Sequence, residues 1–292
     1  MPFRPLDGIL LLDKPVGLSS NAALQRARKL FRAEKAGHAG SLDPLASGML
    51  PVCFGQATKV CGWLLDSRKT YQVTAKLGIR TSTGDAEGEA IEEKTVPVLD
   101  DVNEVLKRFL GEQLQVPPMH SALKHHGKRL YELARKGEVV DREPRSIIIE
   151  RLELQHRSTT ELGLEVRCSK GTYIRTLVED IAEQLGTLGH VSALRRLQVD
   201  PFEYAGMVAF DEIESMTADD LDALLLAPDV ALVQMPRVEL TDAQQTALLH
   251  GRVVAATTTD SGTARAYGPS GRFLGIVEIG PGAMAKPQRL FV

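Results

Sequence analysis

The sequence predicts an α/β (α+β) fold: a mixed, mostly antiparallel sheet flanked by helices, followed by a small β-rich C-terminal module. Three observations lead there. In residues 70–77, apolar Tyr71, Val73, Ala75 and Leu77 alternate with Gln72, Thr74 and Lys76, and residues 146–155 and 162–168 alternate as an antiparallel pair would. Helical spacing governs two stretches, one set by Leu24, Ala27, Leu30 and Phe31 and the other by Ile174, Leu177, Val178, Ile181 and Leu185. Beyond Met235-Pro236, short strand-like runs at 252–256, 264–267, 273–279 and 288–292 are separated by Gly, Pro and Ser, with one helix at Asp242–Leu249.

In chain order, Gly8–Lys14 reads as a buried strand, and the following turn PVGLSS offers Ser20 or Asn21 as a helix cap through its side-chain oxygen. The first helix shows Arg26, Arg28, Lys29 and Arg32 outside its apolar stripe. Glycines 37, 40 and 48 mark an extended loop before a second helix near residues 56–65. Residues 80–95 are polar and Gly-containing, hence loop or hairpin. Residues 120–137 combine five Lys/Arg with one Glu over a thin apolar stripe, which suits a helical excursion toward a phosphate backbone or a solvated surface helix. A helix at 172–185 precedes a strand at 191–199, and residues 210–233 read as acidic, leucine-rich helix.

At 292 residues, one large domain plus a smaller one is expected, with residues 1–235 and 236–292 as the division. Composition is that of an ordinary globular protein, 43% hydrophobic and 25% charged. No stretch approaches the roughly 18 apolar residues of a membrane span. The three cysteines, Cys53, Cys61 and Cys168, have no metal-ligand spacing, which suits reduced thiols in a cytoplasmic protein. Net charge is −3, but residues 1–80 carry 12 Lys+Arg against 5 Asp+Glu, and residues 201–235 carry none against 8. A polyanion could therefore dock on a basic N-terminal third.

The phosphate-loop, dinucleotide-fingerprint, zinc-protease and nucleophile-elbow motifs are all missing, which counts against nucleotide hydrolysis, dinucleotide redox chemistry and the common hydrolases. What stands out is Gly37-His38-Ala39-Gly40-Ser41-Leu42-Asp43-Pro44-Leu45-Ala46-Ser47-Gly48. By itself an Asp before Pro, between glycines, is a turn residue whose carboxylate bonds nearby backbone N–H groups. His38 alone is equally compatible with a surface or core histidine.

The whole pattern resembles the TruB family, the bacterial tRNA pseudouridine 55 synthases. It does so at six separated places in order: LLLDKPVGLSSN at 10–21, GHAGSLDPLASGMLP at 37–51, KTYQVTAKLGIRTSTGDAEG at 69–88, PPMHSALKHHGKRLYELAR at 117–135, CSKGTYIRTLVEDI at 168–181 and HVSALRRL at 190–197. The resemblance implies a pseudouridine synthase fold with Asp43 as catalytic aspartate and Arg175 as the arginine paired with it. It also implies His38 beside the flipped nucleotide, Tyr71 as base-stacking platform, Tyr173 as a second substrate-side tyrosine and Leu194 in the uracil pocket. Where the family most often has Thr, this chain has Ala39, Ser41 and Ser47. The C-terminal module resembles the PUA domain that ends bacterial members.

The implied chemistry breaks the N1–C1′ bond of uridine, turns the uracil and joins C5 to C1′, with no cofactor and no metal. A carboxylate can add to uracil C6, capture C1′ or take the C5 proton, and the sequence leaves all three open. In each case the aspartate has to be ionised in a pocket that excludes water, and a guanidinium favours the charged form and orients it through its planar fork. Asp85 is a candidate for completing the ionic network, or a loop cap. The expected substrate is the T stem-loop of tRNA, held partly by an RNA-gripping insertion at 120–145, with the target base extruded. An RNA-folding chaperone and the catalytic subunit of a guide-RNA particle are the alternatives. The short N-terminus and the lack of Lys-rich tails argue for a stand-alone enzyme, and a monomer with no obligatory protein partner and no membrane is expected.

Overall fold

The computed structural model describes residues 2–121, 123–125, 127–134, 136–202, 206–256 and 261–291. Residues 122, 126 and 135 of the expected insertion, and Val292 of the expected last strand, lie outside them.

The chain begins with β1 (Gly8–Lys14), buried along nearly its whole length, and then α1 (Ser20–Phe31). The cap of α1 is Ser19 rather than Ser20 or Asn21: its hydroxyl accepts the Ala22 N–H, while Ser20 turns inward for another purpose. Where the glycines suggest a loop, two strands form, β2 (Ala36–His38) and β3 (Ala46–Phe54). Gly48 and Pro51 conceal β3 in the sequence, because both are depleted from central strands. Both are accommodated by local geometry. The partner strands on one edge of β3 cover residues 46–48 and 52–54, and Pro51, whose carbonyl takes the Ala39 N–H, sits in the interval where its missing N–H leaves no ladder bond unmade. Gly48 has φ +100°, and a Cβ there would lie 2.2 Å from the Arg196 carbonyl oxygen. Gly48→Ala is accordingly expected to destabilise the protein by about 3 kcal/mol, read as a lowered thermal midpoint.

The helix expected near 56–65 is a 3₁₀ turn, Gly55–Val60, leading into α2 (Cys61–Asp66). Next come β4 (Lys69–Leu77) and a hairpin of β5 (Ile79–Thr81) with β6 (Ala90–Glu93), within the segment read as loop or hairpin. Neither α3 (Val102–Lys107) nor β7 (Gly111–Gln115) is anticipated by the sequence, being short and only partly apolar. The basic segment is chiefly a small hairpin, β8 (Lys124–His125) with β9 (Lys128–Arg129), followed by a single turn of helix, α4 (Leu130–Ala134). β10 (Arg145–Arg157) and β11 (Glu161–Cys168) pair antiparallel as their alternation requires, and α5 (Ile174–Gln184) and β12 (Gly189–Val199) follow. The acidic stretch breaks into α6 (Phe210–Ile213), α7 (Ala218–Ala223) and a 3₁₀ turn that starts at Pro228.

The large sheet has eight strands in the order β1-β3-β12-β4-β11-β10-β7, with β2 added alongside β3. Within it β12 runs parallel to β3 and the other pairs are antiparallel. Alternation along β1 and β3 buries two faces: Leu10, Leu12, Leu50, Val52 and Phe54 pack on Leu24, Ala27 and Phe31 of α1, while Ile9, Leu11, Met49 and Cys53 pack on Val60, Leu64 and Leu232. Farther along the sheet, Ile174, Leu177, Val178 and Ile181 of α5 close over Val73, Ala75, Leu164 and Val166. The amphipathic stripes of both helices thus bury against the strands whose alternation faces them.

Part of the charge asymmetry is met inside the molecule. Arg4 pairs with Asp222, and Arg26 pairs with Glu214 while lying 4.2 Å over the Phe210 ring. Arg28 donates to the Ala33 and Glu34 carbonyls, and Arg32 donates to that of Pro2. Arg26 of α1 therefore seats the acidic segment, a use of the basic face that the charge count alone does not show.

A second, five-stranded sheet is formed by β13 (Arg237–Glu239), β14 (Val254–Ala255), β15 (Gly262–Tyr267), β16 (Phe273–Gly280) and β17 (Met284–Leu290), in the order β13-β15-β16-β17-β14, with α8 (Asp242–Leu249) against it. It has its own core of Val238, Leu240, Leu248, Ala264, Val277 and Ile279. Ile276 and Phe291 also join the cluster around Leu64 and Leu232, so the module packs on the larger body. Among the described residues no helix is long and apolar enough to cross a membrane, and no group of His, Cys, Asp and Glu is arranged to hold a metal ion. All three cysteines are free thiols.

Candidate active site

Asp43 sits in the turn that leads into β3, where its carbonyl accepts the Ala46 N–H at 3.0 Å. Its side chain is 47% exposed, whereas that of Arg175, facing it from the first turn of α5, is 7% exposed. Arg175 Nη2 lies 2.9 Å from Asp43 Oδ2. The rest of the guanidinium does not embrace the carboxylate as a fork, contrary to the sequence-based expectation. Nη1 donates to the Thr83 carbonyl at 2.9 Å and Nη2 also donates to the His120 carbonyl at 2.7 Å. These neutral acceptors lock the arginine in place, leaving one strong contact for Asp43 and the other side of that carboxylate open to solvent.

Asp85 is the second carboxylate of the network, 4% exposed, with Oδ2 3.6 Å from Arg175 Nη1. That separation gives charge pairing without a hydrogen bond. Its other oxygen caps its own loop, accepting the Thr83 hydroxyl at 2.6 Å and the Glu87 N–H at 3.1 Å. Both roles proposed for Asp85 therefore coexist. A buried guanidinium between two carboxylates keeps a balancing negative charge even where Asp43 is open to water, which a lone buried arginine would lack.

Tyr71 and Leu194 lie on the adjoining central strands β4 and β12. In register, Tyr71 pairs with Val166 on one side and Arg196 on the other, and Leu194 pairs with Ala46 and Val73. Tyr71, Leu194 and Leu45 pack as partly buried apolar groups on the α5 side of the sheet. Burial pushes the Tyr71 phenol up, opposed by the neighbouring Arg196 charge. Tyr173 occupies the cap position of α5, and the buried Gln115 amide holds its backbone from both sides: Oε1 accepts the Tyr173 N–H at 2.8 Å and Nε2 donates to the Tyr173 carbonyl at 3.1 Å. Burial raises the Tyr173 phenol as well, and the Asp43 charge is felt at both tyrosines.

His38 closes β2, with Nδ1 buried and, among the described residues, without a hydrogen-bond partner. Burial first, and Arg196 second, lower its pKa, so the ring is neutral near pH 7. Lys14, fully buried at the end of β1, is pulled down to about 8 by burial and by Arg196, while Asp43 and Glu87 oppose the shift. Its ammonium donates to the carbonyls of Pro15 at 2.8 Å and Leu18 at 2.6 Å, riveting the turn beneath the Asp43 loop. The structure thus brings Asp43, Arg175 and Asp85 into one ionic network, puts Tyr71 and Leu194 on adjoining strands beside it, and sets Tyr173 two residues before Arg175. Ser20, Gln115 and Arg196, all buried, support these groups and carry no spacing signal in the sequence by which they could have been found.

Known proteins resemble this chain along nearly its whole length. Residues 28–174 match the family described as TruB family pseudouridylate synthase (N terminal domain). Residues 175–233 match the tRNA pseudouridylate synthase B C-terminal domain, and residues 236–291 match pseudouridine synthase II TruB, C-terminal. The chain is 49% identical over 293 residues to tRNA pseudouridine synthase B of Stutzerimonas stutzeri (strain A1501), covering 98% of this chain and 96% of that protein. It is 47% identical over 300 residues to the protein of the same name from Burkholderia mallei (strain NCTC 10247), covering 100% and 99%. Among solved structures, a chain of a Cbf5-Nop10-Gar1 complex shares the fold with a TM-score of 0.75 at 24% identity, covering 98% of this chain and 85% of that one. With these matches, the chain belongs to the TruB family of pseudouridylate synthases.

Proposed function

We propose that this chain isomerises uridine 55 in the T loop of tRNA to pseudouridine, with Asp43 as its catalytic carboxylate. The observation that carries this reading is the half-open Asp43 carboxylate held at 2.9 Å by a buried Arg175. Arg175 offers Asp43 a fixed positive charge at the moment when a bound base excludes water, and its carbonyl anchors keep it from following the substrate. The extruded uridine stacks on Tyr71, is bordered by Leu194 and Tyr173, and leaves His38, as a neutral ring, in the space it vacates beside the flipped nucleotide. Asp85 maintains the charge balance of Arg175.

In the same reading, residues 1–235 form the catalytic domain and residues 236–292 a PUA-like domain that contacts RNA. Residues 120–145 form the insertion that grips the T stem, recognising it by shape and phosphates. The enzyme works as a monomer in the cytoplasm, with no cofactor and no guide RNA. Incubating the purified protein with a bare T-arm transcript tests this. Conversion at position 55 without any added RNA or protein is the expected result. Dependence on a guide, or RNA annealing without pseudouridine, would replace it with the particle-subunit or chaperone reading.

A further inference from the structure

Ser20 is the first residue of α1, yet it does nothing for that helix, since Ser19 provides the cap. Its side chain is 4% exposed and makes both of its hydrogen bonds to a single residue 22 positions away. The Ser20 hydroxyl accepts the Leu42 N–H at 2.7 Å and donates to the Leu42 carbonyl at 2.9 Å. Leu42 immediately precedes Asp43. On the other side of Asp43, the Pro44 carbonyl accepts the Gly17 N–H at 2.8 Å, in the turn that Lys14 rivets.

A second buried side chain reaches the same loop from the sheet. Arg196 is 1% exposed, and among the described residues it has no carboxylate partner within ion-pair distance. Nη2 donates to the Gly40 carbonyl at 3.0 Å and Nε donates to the Met49 carbonyl at 2.7 Å. Burying a guanidinium without a counter-charge is unfavourable, and its retention calls for a geometric return. Here it ties the start of the Asp43 loop to β3, and, through the register of β12 with β4, to the position of Tyr71.

We propose that Ser20 and Arg196 are positioning residues for Asp43, fixing the loop from Gly40 to Leu42 so that the carboxylate meets Arg175 and the flipped base in one geometry. This rests on Asp43 as the catalytic carboxylate. Helix propensity gives no reason for serine at position 20, where alanine is the better helix former. What alanine lacks is the hydroxyl, without which the Leu42 N–H and carbonyl are left buried and unpaired, and the loop then shifts to find partners. Displacements of about 1 Å at a reacting group typically slow chemistry by roughly 100-fold without a matching loss of binding.

The test compares wild type with Ser20→Ala, Arg196→Lys and Asp43→Asn, measuring the single-turnover rate on T-arm RNA at saturating enzyme, the dissociation constant for that RNA and the thermal midpoint. Ser20→Ala is expected to slow conversion by about 10- to 100-fold while the dissociation constant stays within about twofold. Arg196→Lys, which keeps the charge and loses the planar fork, carries the same expectation and stands in if Ser20→Ala does not fold. A lowered midpoint with the rate unchanged would overturn the proposal, since it would leave a purely structural role. Full activity of Asp43→Asn would instead overturn the reading of Asp43 itself, so the two failures are told apart.

Discussion

Replacing Asp43 by Asn is expected to lower pseudouridine formation by about four orders of magnitude while leaving the affinity for tRNA within about twofold. The substitution is isosteric and removes a charge in the active loop without emptying any core volume. Because the Asp43 side chain is 47% exposed, its ion pair with Arg175 contributes little to the stability of the fold. Arg175 keeps the Thr83 and His120 carbonyls and the Asp85 charge after the change. The folded structure and the RNA surface are therefore expected to survive, and what the proposed function predicts to be lost is the nucleophile or base. A variant that folds, binds and still forms pseudouridine at the wild-type rate would show that Asp43 is a turn residue, as its local sequence alone would suggest.

Arg175→Met is the second large effect, and it divides between stability and rate. Removing the guanidinium strands Asp85, 4% exposed, as a buried charge with only hydrogen-bond partners, and frees two backbone carbonyls. Breaking a buried pair in this way costs about 3 kcal/mol. Catalysis should fall by about 10²- to 10³-fold, the usual consequence of removing one preorganised electrostatic partner. Adding Asp85→Asn to Arg175→Met should recover part of the lost stability and none of the lost rate, since Asp85 acts only through Arg175. Calorimetry and single-turnover kinetics separate the two contributions. Recovery of rate in the double variant would place Asp85 in direct contact with the chemistry.

The alternating strands β4, β10 and β11 and the amphipathic helices α1 and α5 were legible because each buries one face, and one-sided burial leaves a periodic trace. β3 was not, since it is buried on both faces and interrupted by Gly48 and Pro51, whose tolerance depends on the edge partners and on the Arg196 backbone. The short elements at Val102–Lys107 and Gly111–Gln115 fall below the length at which a period can be seen. Charge was misleading in a definite way: Arg26 and Arg4 look like polyanion contacts in one dimension and are partners of Glu214 and Asp222 in three.

For the candidate site, the loop around Asp43 became readable through its match to a family pattern, which named Arg175, Tyr71, Tyr173 and Leu194 from three other places in the chain. Sequence could not supply the groups that hold them. Ser20 looks like a helix cap, and Gln115 and Arg196 carry no signal of their own. Their functions depend on backbone atoms that β3, β12 and the start of α5 bring close only after folding. The bidentate Arg175 fork was also a reasonable sequence-level inference that the carbonyls of Thr83 and His120 displace.

The central claim is that Asp43 drives exchange of the N1–C1′ bond of uridine for a C5–C1′ bond, and that exchange expels the C5 hydrogen. T-arm RNA carrying tritium at uracil C5 therefore reports it directly, with wild type and Asp43→Asn run side by side. Wild type is expected to release tritium in step with pseudouridine at position 55, and the variant to release none above background. Absence of release by both proteins, or equal release by both, would contradict the account.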